Sequence, residues 1–96
     1  MTKTTRTSLY TVVLDYDGGT YISQVRAPDE RAALFLWCDR FEAAETAAKT
    51  RKVASKVRKS LDDDRPVLLS GCEFVWCATA SRKGKFILIN IVKTAG

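Results

Sequence analysis

The chain has 96 residues, of which 46% are hydrophobic and 28% are charged, with a formal net charge of +5 and no histidine. Such a composition is typical of one globular domain, and the length excludes a second hydrophobic core. No apolar run approaches the roughly 20 residues of a membrane helix, and the polar start does not resemble a signal peptide. We therefore expect a cytoplasmic protein with one domain over residues 1–96, of which 1–7 are disordered.

The segment from Leu9 to Arg26 predicts a β-hairpin. Alternation places four large side chains on one face of the first strand: Tyr10, Val12, Leu14 and Tyr16. Asp17-Gly18-Gly19 accepts the positive φ angles of a tight turn, and the β-rich run Thr20 to Arg26 follows it. Either two-residue loop within this turn adds three further residues to the tyrosine face: Tyr21, Ser23 and Val25.

A helix is predicted from Pro28 to about Ala48. Pro28 suits a first helical turn, where its missing N–H is no loss, and Asp29 and Glu30 complement the positive end of the helix dipole. An apolar stripe then follows helical spacing through Leu34, Trp37 or Cys38, Phe41, Ala44 or Glu45, and Ala48. We expect this stripe to cover the tyrosine face of the hairpin.

A strongly basic segment begins after Ala48, where the apolar phase shifts, and predicts a kink or a short second helix that ends near Leu61. Its six basic residues, with no acidic residue among them, are Lys49, Arg51, Lys52, Lys56, Arg58 and Lys59. In a helix, the four lysines lie near one face, and a small apolar edge is formed by Val53, Ala54, Val57 and Leu61. The run Asp62 to Pro66 is a poor continuation of a helix.

Two more β runs close the chain: Val67 to Ala80, broken or bulged at Gly71, and Phe86 to Lys93, with Ser81 to Lys85 as the turn between them. The predicted fold class is therefore α+β, in ββαββ order. It has a mostly antiparallel four-stranded sheet, the main helix on one face, and the basic helix or helix extension near one edge.

The last β run is apolar on both faces, so one face of it needs a cover besides the main helix. The same is true of three residues of the hairpin: Leu9, Val13 and Ile22. A second subunit, a partner or the basic helix must provide that cover.

The residues that usually carry catalysis are sparse. Without histidine, a reaction would depend on carboxylates, lysines or thiols, and Cys38, Cys72 and Cys77 sit among apolar neighbours as structural thiols do. Three cysteines cannot complete a tetrahedral zinc site, and Asp62-Asp63-Asp64 lacks the spacing of a calcium loop. We expect no enzyme, no metal and no cofactor. An enzyme that uses Cys38 or the aspartates is the least favoured class, and it stays open only because sequence spacing cannot exclude that these groups converge in space.

Residues 9–37 resemble the start of HicB-type antitoxins, through Asp15-Tyr16-Asp17-Gly18-Gly19-Thr20-Tyr21, Val25 and the helix opening Asp29-Glu30-Arg31-Ala32-Ala33. That family also begins with a strand, a glycine turn, a strand and an alanine-rich helix. The resemblance implies a cytoplasmic inhibitor that binds a small ribonuclease toxin, often as an oligomer. The chain lacks the Pro-Gly-Cys element that is common in the family, and it has no recognisable DNA-binding tail.

The leading hypothesis is a non-enzymatic protein-interaction module, such as an antitoxin, immunity or other inhibitor protein, that binds a macromolecular partner or a second copy of itself. The alternative is a nucleic-acid-binding protein that uses the basic helix 49–59 and the turn 82–85. The candidate residues for an anionic partner are the six basic residues of the helix together with Arg82, Lys83 and Lys85. A merely solvated basic face explains the same residues.

Overall fold

The computed structural model describes residues 6–43, 48–63 and 65–95, with side chains at 6–40, 52–61 and 65–95. The elements follow the order β1 (Ser8–Tyr16), β2 (Gly19–Ala27), α1 (Glu30–Ala43), α2 (Ala48–Asp63), β3 (Val67–Leu68), β4 (Val75–Arg82) and β5 (Lys85–Ala95). All neighbouring strands are antiparallel in one sheet of order β2-β1-β5-β4-β3. The α+β class is confirmed. Of the segment expected to be disordered, residues 1–5 lie outside the described residues, and Arg6 and Thr7 are exposed.

The sheet has five strands, so the prediction of four was wrong. The run from Val67 to Ala80 divides into β3 and β4, which pair with each other through Val67 with Cys77 and Leu68 with Trp76. Positive φ angles at Gly71 and Phe74 reverse the chain between them. The predicted break at Gly71 is therefore a full turn. The strands that it connects form two consecutive residue pairs, which make a short hairpin.

The first hairpin has the predicted register. Tyr10 faces Val25, Val12 faces Ser23 and Leu14 faces Tyr21, so these side chains share one face of the sheet. Asp17 and Gly18 both have positive φ, 51° and 80°, as a two-residue type I′ turn requires. The hairpin of β4 and β5 has the same pair of positive φ angles at Lys83 and Gly84. The turn predicted over Ser81 to Lys85 therefore contains two residues.

Helix α1 begins at Glu30, two residues later than predicted. Asp29 is its N-cap, because the backbone N–H of Ala32 donates to Asp29 Oδ1 over 2.8 Å, and Pro28 precedes that cap. Leu34, Trp37 and Cys38 are buried, as the stripe predicts. The remaining stripe residues, from Phe41 to Ala48, lie outside the described side chains.

Helix α2 packs beside α1 on the same face of the sheet, over β4. Its predicted apolar edge is buried in the core: Val53, Ala54, Val57 and Leu61. Arg31 of α1 joins the two helices, since its Nη2 donates to the carbonyl of Leu61 over 3.3 Å. The region beyond Ala48 is thus a second helix, which ends at Asp63, two residues past the predicted end.

The core lies between this helical layer and the tyrosine face. Alternate residues of β5, namely Ile87, Ile89 and Ile91, occupy its centre with Val12 and Leu14. Burial, with smaller contributions from Glu30 and Asp29, raises the pKa of Tyr10, whose ring lies 6.0 Å from that of Trp76. Neither described helix has the length and hydrophobicity that a bilayer crossing requires.

Leu34→Ala tests the contact between α1 and the sheet. The Leu34 side chain is fully buried, so its truncation should lower the free energy of unfolding by about 2 to 5 kcal/mol. Leu36→Ala on the same helix is the matched control, because Leu36 is 39% exposed, and a much smaller loss is expected. Urea unfolding measures both, and equal losses would contradict the described orientation of α1.

Candidate functional site

A shallow groove between α2 and β4 is bordered by basic side chains from two elements that are distant in sequence. Three belong to α2 and one to the end of β4: Lys52, Lys56, Lys59 and Arg82. The groove continues along β4 past Ser60, Thr79, Ala80, Ser81 and Phe86. We call this surface, with Ser55 beside Lys52 and Lys56, the basic groove. Among the described residues that line it, none is acidic.

The orientation of α2 follows from its buried edge. Because Val53, Val57 and Leu61 pack into the core, the helix must turn its opposite face outward. That face carries Lys52, Lys56 and Lys59, all of them exposed, at the spacing i, i+4 and i+7. Hydrophobic packing thus presents the three lysines to the groove.

The β4 wall of the groove is the outer edge of a strand. Strand β3 pairs with β4 only as far as Cys77, and no other described strand borders β4 beyond that point. The Ser60 hydroxyl donates to the carbonyl of Thr79 over 3.4 Å, which joins α2 to this edge. Arg82 is held at the far end, where its Nη1 donates to the Tyr16 hydroxyl over 3.3 Å.

Three other basic residues proposed for an anionic partner lie elsewhere: Arg58, Lys83 and Lys85. Arg58 forms an ion pair with Asp39 of α1 and lies over the ring of Phe35, 5.9 Å from its centroid. Lys85 pairs with Asp17 across the two hairpin turns, Nζ to Oδ1, over 2.6 Å. Lys83 is exposed at its turn. The Lys49 and Arg51 side chains lie outside the described residues. The structure therefore brings together four of the seven candidates whose side chains it describes.

The second surface of interest is the sheet face opposite the helices, which we call the open face. Strand alternation assigns it Leu9, Thr11, Val13, Asp15, Thr20, Ile22, Gln24, Arg26, Val75, Cys77, Thr79, Ser81, Phe86, Leu88, Asn90, Val92 and Thr94. A chain of hydrogen bonds crosses it from Gln24 to Thr11 to Thr94, over 3.1 Å and 3.2 Å. Ile22 is 68% exposed and Phe86 61% exposed. Both described helices pack on the other face, so neither covers this one.

Two side chains differ from the sequence-based expectation. Cys72 is exposed and Cys77 half-buried, so the prediction of core thiols is wrong for Cys72 and is confirmed for Cys38, which is buried. Cys72 lies in the turn between β3 and β4, outside the buried cluster of core residues. Tyr21 shares the face of Tyr10 by register but is 40% exposed, because it lies on the edge strand β2.

No sequence signal marks Phe86 or the serines of the groove as residues of a binding site. Phe86 belongs to the apolar β5 run, and only its pairing with Ser81 places it beside the lysines of α2. No group of three metal-ligating residues converges in the part of the chain whose positions are described. The side chains of Asp62, Asp63 and Asp64 lie outside that part.

Comparison with protein-family models, with curated proteins and with solved structures found no match. The resemblance to HicB-type antitoxins therefore stays a prediction.

Thiol labelling tests the assignment of the faces. Cys72 should react rapidly with a maleimide, Cys77 more slowly, and Cys38 only after unfolding, because the three thiols are exposed, half-buried and buried respectively. Peptide mass spectrometry after timed quenching measures the order, and Cys72→Ser should remove the fast phase alone. Labelling of Cys38 before Cys77 under native conditions would contradict the described core.

Proposed function

We propose that this protein is a small non-enzymatic interaction module, and that it binds a second copy of itself through the open face. The observation that supports this is the packing of α1 and α2 on the same side of the sheet. The basic helix was one of three candidate covers for the opposite face, and its burial against the core removes it. A second subunit or another partner remains.

The composition of the open face is that of an interface. Leu9, Val13, Leu88 and Val92 alternate with uncharged polar residues across its middle. Within the described strands, two charged residues occupy open-face positions, Asp15 and Arg26, and they lie at opposite ends of the first hairpin. Depletion of charge at the centre, with polar groups interspersed, is typical of surfaces that contact another protein.

The size of the face also suits a partner of this kind. Strands β1, β2, β4 and β5 contain 9, 9, 8 and 11 residues. At about 4.8 Å between strands and about 3.4 Å per residue, they span on the order of 600 Å². Two such faces bury about 1,200 Å² in total, which is the lower limit of a standard-size interface.

Charge complementarity favours a second copy as the occupant. A two-fold axis that runs across the strands, between two facing copies, reverses the strand direction of one copy relative to the other. Asp15 lies at the turn end of β1, and Arg26 lies at the opposite end of β2. The rotation therefore brings Asp15 of each copy towards Arg26 of the other, and the contact occurs twice. In a complex with a different protein, symmetry would not pair Asp15 with Arg26 in this way.

Charge reversal tests this arrangement. Asp15→Arg or Arg26→Asp alone should raise the Kd of the dimer about ten-fold, because each replaces two attractive contacts with two repulsive ones. The double variant should restore dimerisation. Light scattering over a wide range of protein concentration gives the Kd of each variant.

A charge placed on the open face, with a matched control on α1, tests the interface directly. Ile22→Asp places a charge on the open face and should give a monomer, whereas Leu36→Asp places the same charge on the exposed side of α1 and should leave the dimer intact. A strict monomer of the unaltered protein, or a double charge-reversal variant no better than the single ones, would contradict self-association through this face.

A further inference from the structure

We propose that the basic groove is a binding site for single-stranded nucleic acid. The groove lies along the edge of β4 beside α2, and it shares Thr79, Ser81 and Phe86 with the open face. The proposal does not depend on self-association through that face. The lysines of α2 and Arg82 contact the phosphates, and the ring of Phe86 stacks on a base.

The cations are arranged as a row. Lys52, Lys56 and Lys59 extend over about 10 Å of the helix axis, at about 1.5 Å of rise per residue. Each long side chain can reach a neighbouring phosphate from a helix whose orientation is fixed by its buried edge. Arg82 continues the row from the β-sheet side, and its contact with Tyr16 holds the guanidinium in place.

The lining of the groove suits phosphates. Its described lining residues include no carboxylate to compete for the ammonium groups. The hydroxyls of Ser55 and Ser81 are donors of the kind that commonly contact phosphate oxygens. The overall charge of +5 attracts a polyanion from a distance. Arg58 and Lys85, which have acidic partners of their own, are not needed.

The aromatic side chain of Phe86 favours a single strand over a duplex as the ligand. Phe86 is 61% exposed and lines the same groove as Lys56 and Lys59. Proteins that bind single strands combine a basic groove with aromatic rings on which unpaired bases stack. In a duplex the bases are already stacked on each other, so no base is free to stack on the ring. An acidic protein would use the lysines but would not require an aromatic ring.

Fluorescence anisotropy with labelled single-stranded DNA, the matching RNA and the matching duplex tests the proposal. For three or four phosphate contacts, raising the salt from about 50 to about 200 mM should weaken single-strand binding about 20- to 50-fold. Lys52→Glu/Lys56→Glu should weaken binding more than ten-fold and reduce that salt effect to about three- to seven-fold. Arg6→Glu/Arg40→Glu makes the same change in net charge at exposed positions outside the groove, and a much smaller loss is expected.

Phe86→Ala tests the stacking contact separately from charge. It should lower single-strand affinity between about five-fold and about a hundred-fold without changing the salt dependence, and Phe86→Tyr should retain the affinity. The DNA and RNA arms show which sugar is preferred.

Several outcomes would overturn the inference. These are no binding at low salt, equal losses in the groove variant and its control, duplex binding as tight as single-strand binding, and full affinity in Phe86→Ala. Tighter binding of polyglutamate than of the oligonucleotides would assign the groove to an acidic protein. The oligomeric state of each variant, measured in parallel, separates this result from the test of the open face.

Discussion

The packing of two helices on one face of an antiparallel sheet is the constraint on which the rest of this structure depends. Leu34 and Trp37 from α1 and Val53 and Val57 from α2 are buried against the tyrosine face and against alternate residues of β5. Removal of this apolar surface from water is the dominant favourable contribution to folding. It also determines which surfaces remain outside: the lysine face of α2 and the opposite side of the sheet.

These two surfaces have opposite character and face different directions. The basic groove gathers positive charge along the edge of β4, whereas the open face carries apolar and uncharged polar side chains across the middle of the sheet. Phe86 lies where they meet, since its strand position assigns it to the open face and it is also a lining residue of the groove. The two proposals thus concern two surfaces of one small fold that share Phe86, and variants at positions that belong to only one surface test them separately.

Much of the fold was predictable because its signals are local. The turn at Asp17-Gly18 and the alternation of Tyr10, Val12 and Leu14 predict the hairpin register directly, since a two-residue loop determines the pairing. The burial of Val53, Ala54, Val57 and Leu61 likewise follows from helical spacing. The separate strand β3 was missed because two residues are too few to show a period, and only pairing with Trp76 and Cys77 makes them a strand.

The sequence by itself determined the hairpin, the two helical segments, the apolar stripes and the row of lysines, because each depends on residues within a few positions of one another. Only the tertiary structure decided the strand order, the side of the sheet on which α2 packs, and the meeting of Lys56 and Lys59 with Arg82 and Phe86. Those relations join segments more than twenty residues apart. Contacts of that kind depend on how the buried faces of distant segments pack together, and local periodicity does not determine that packing.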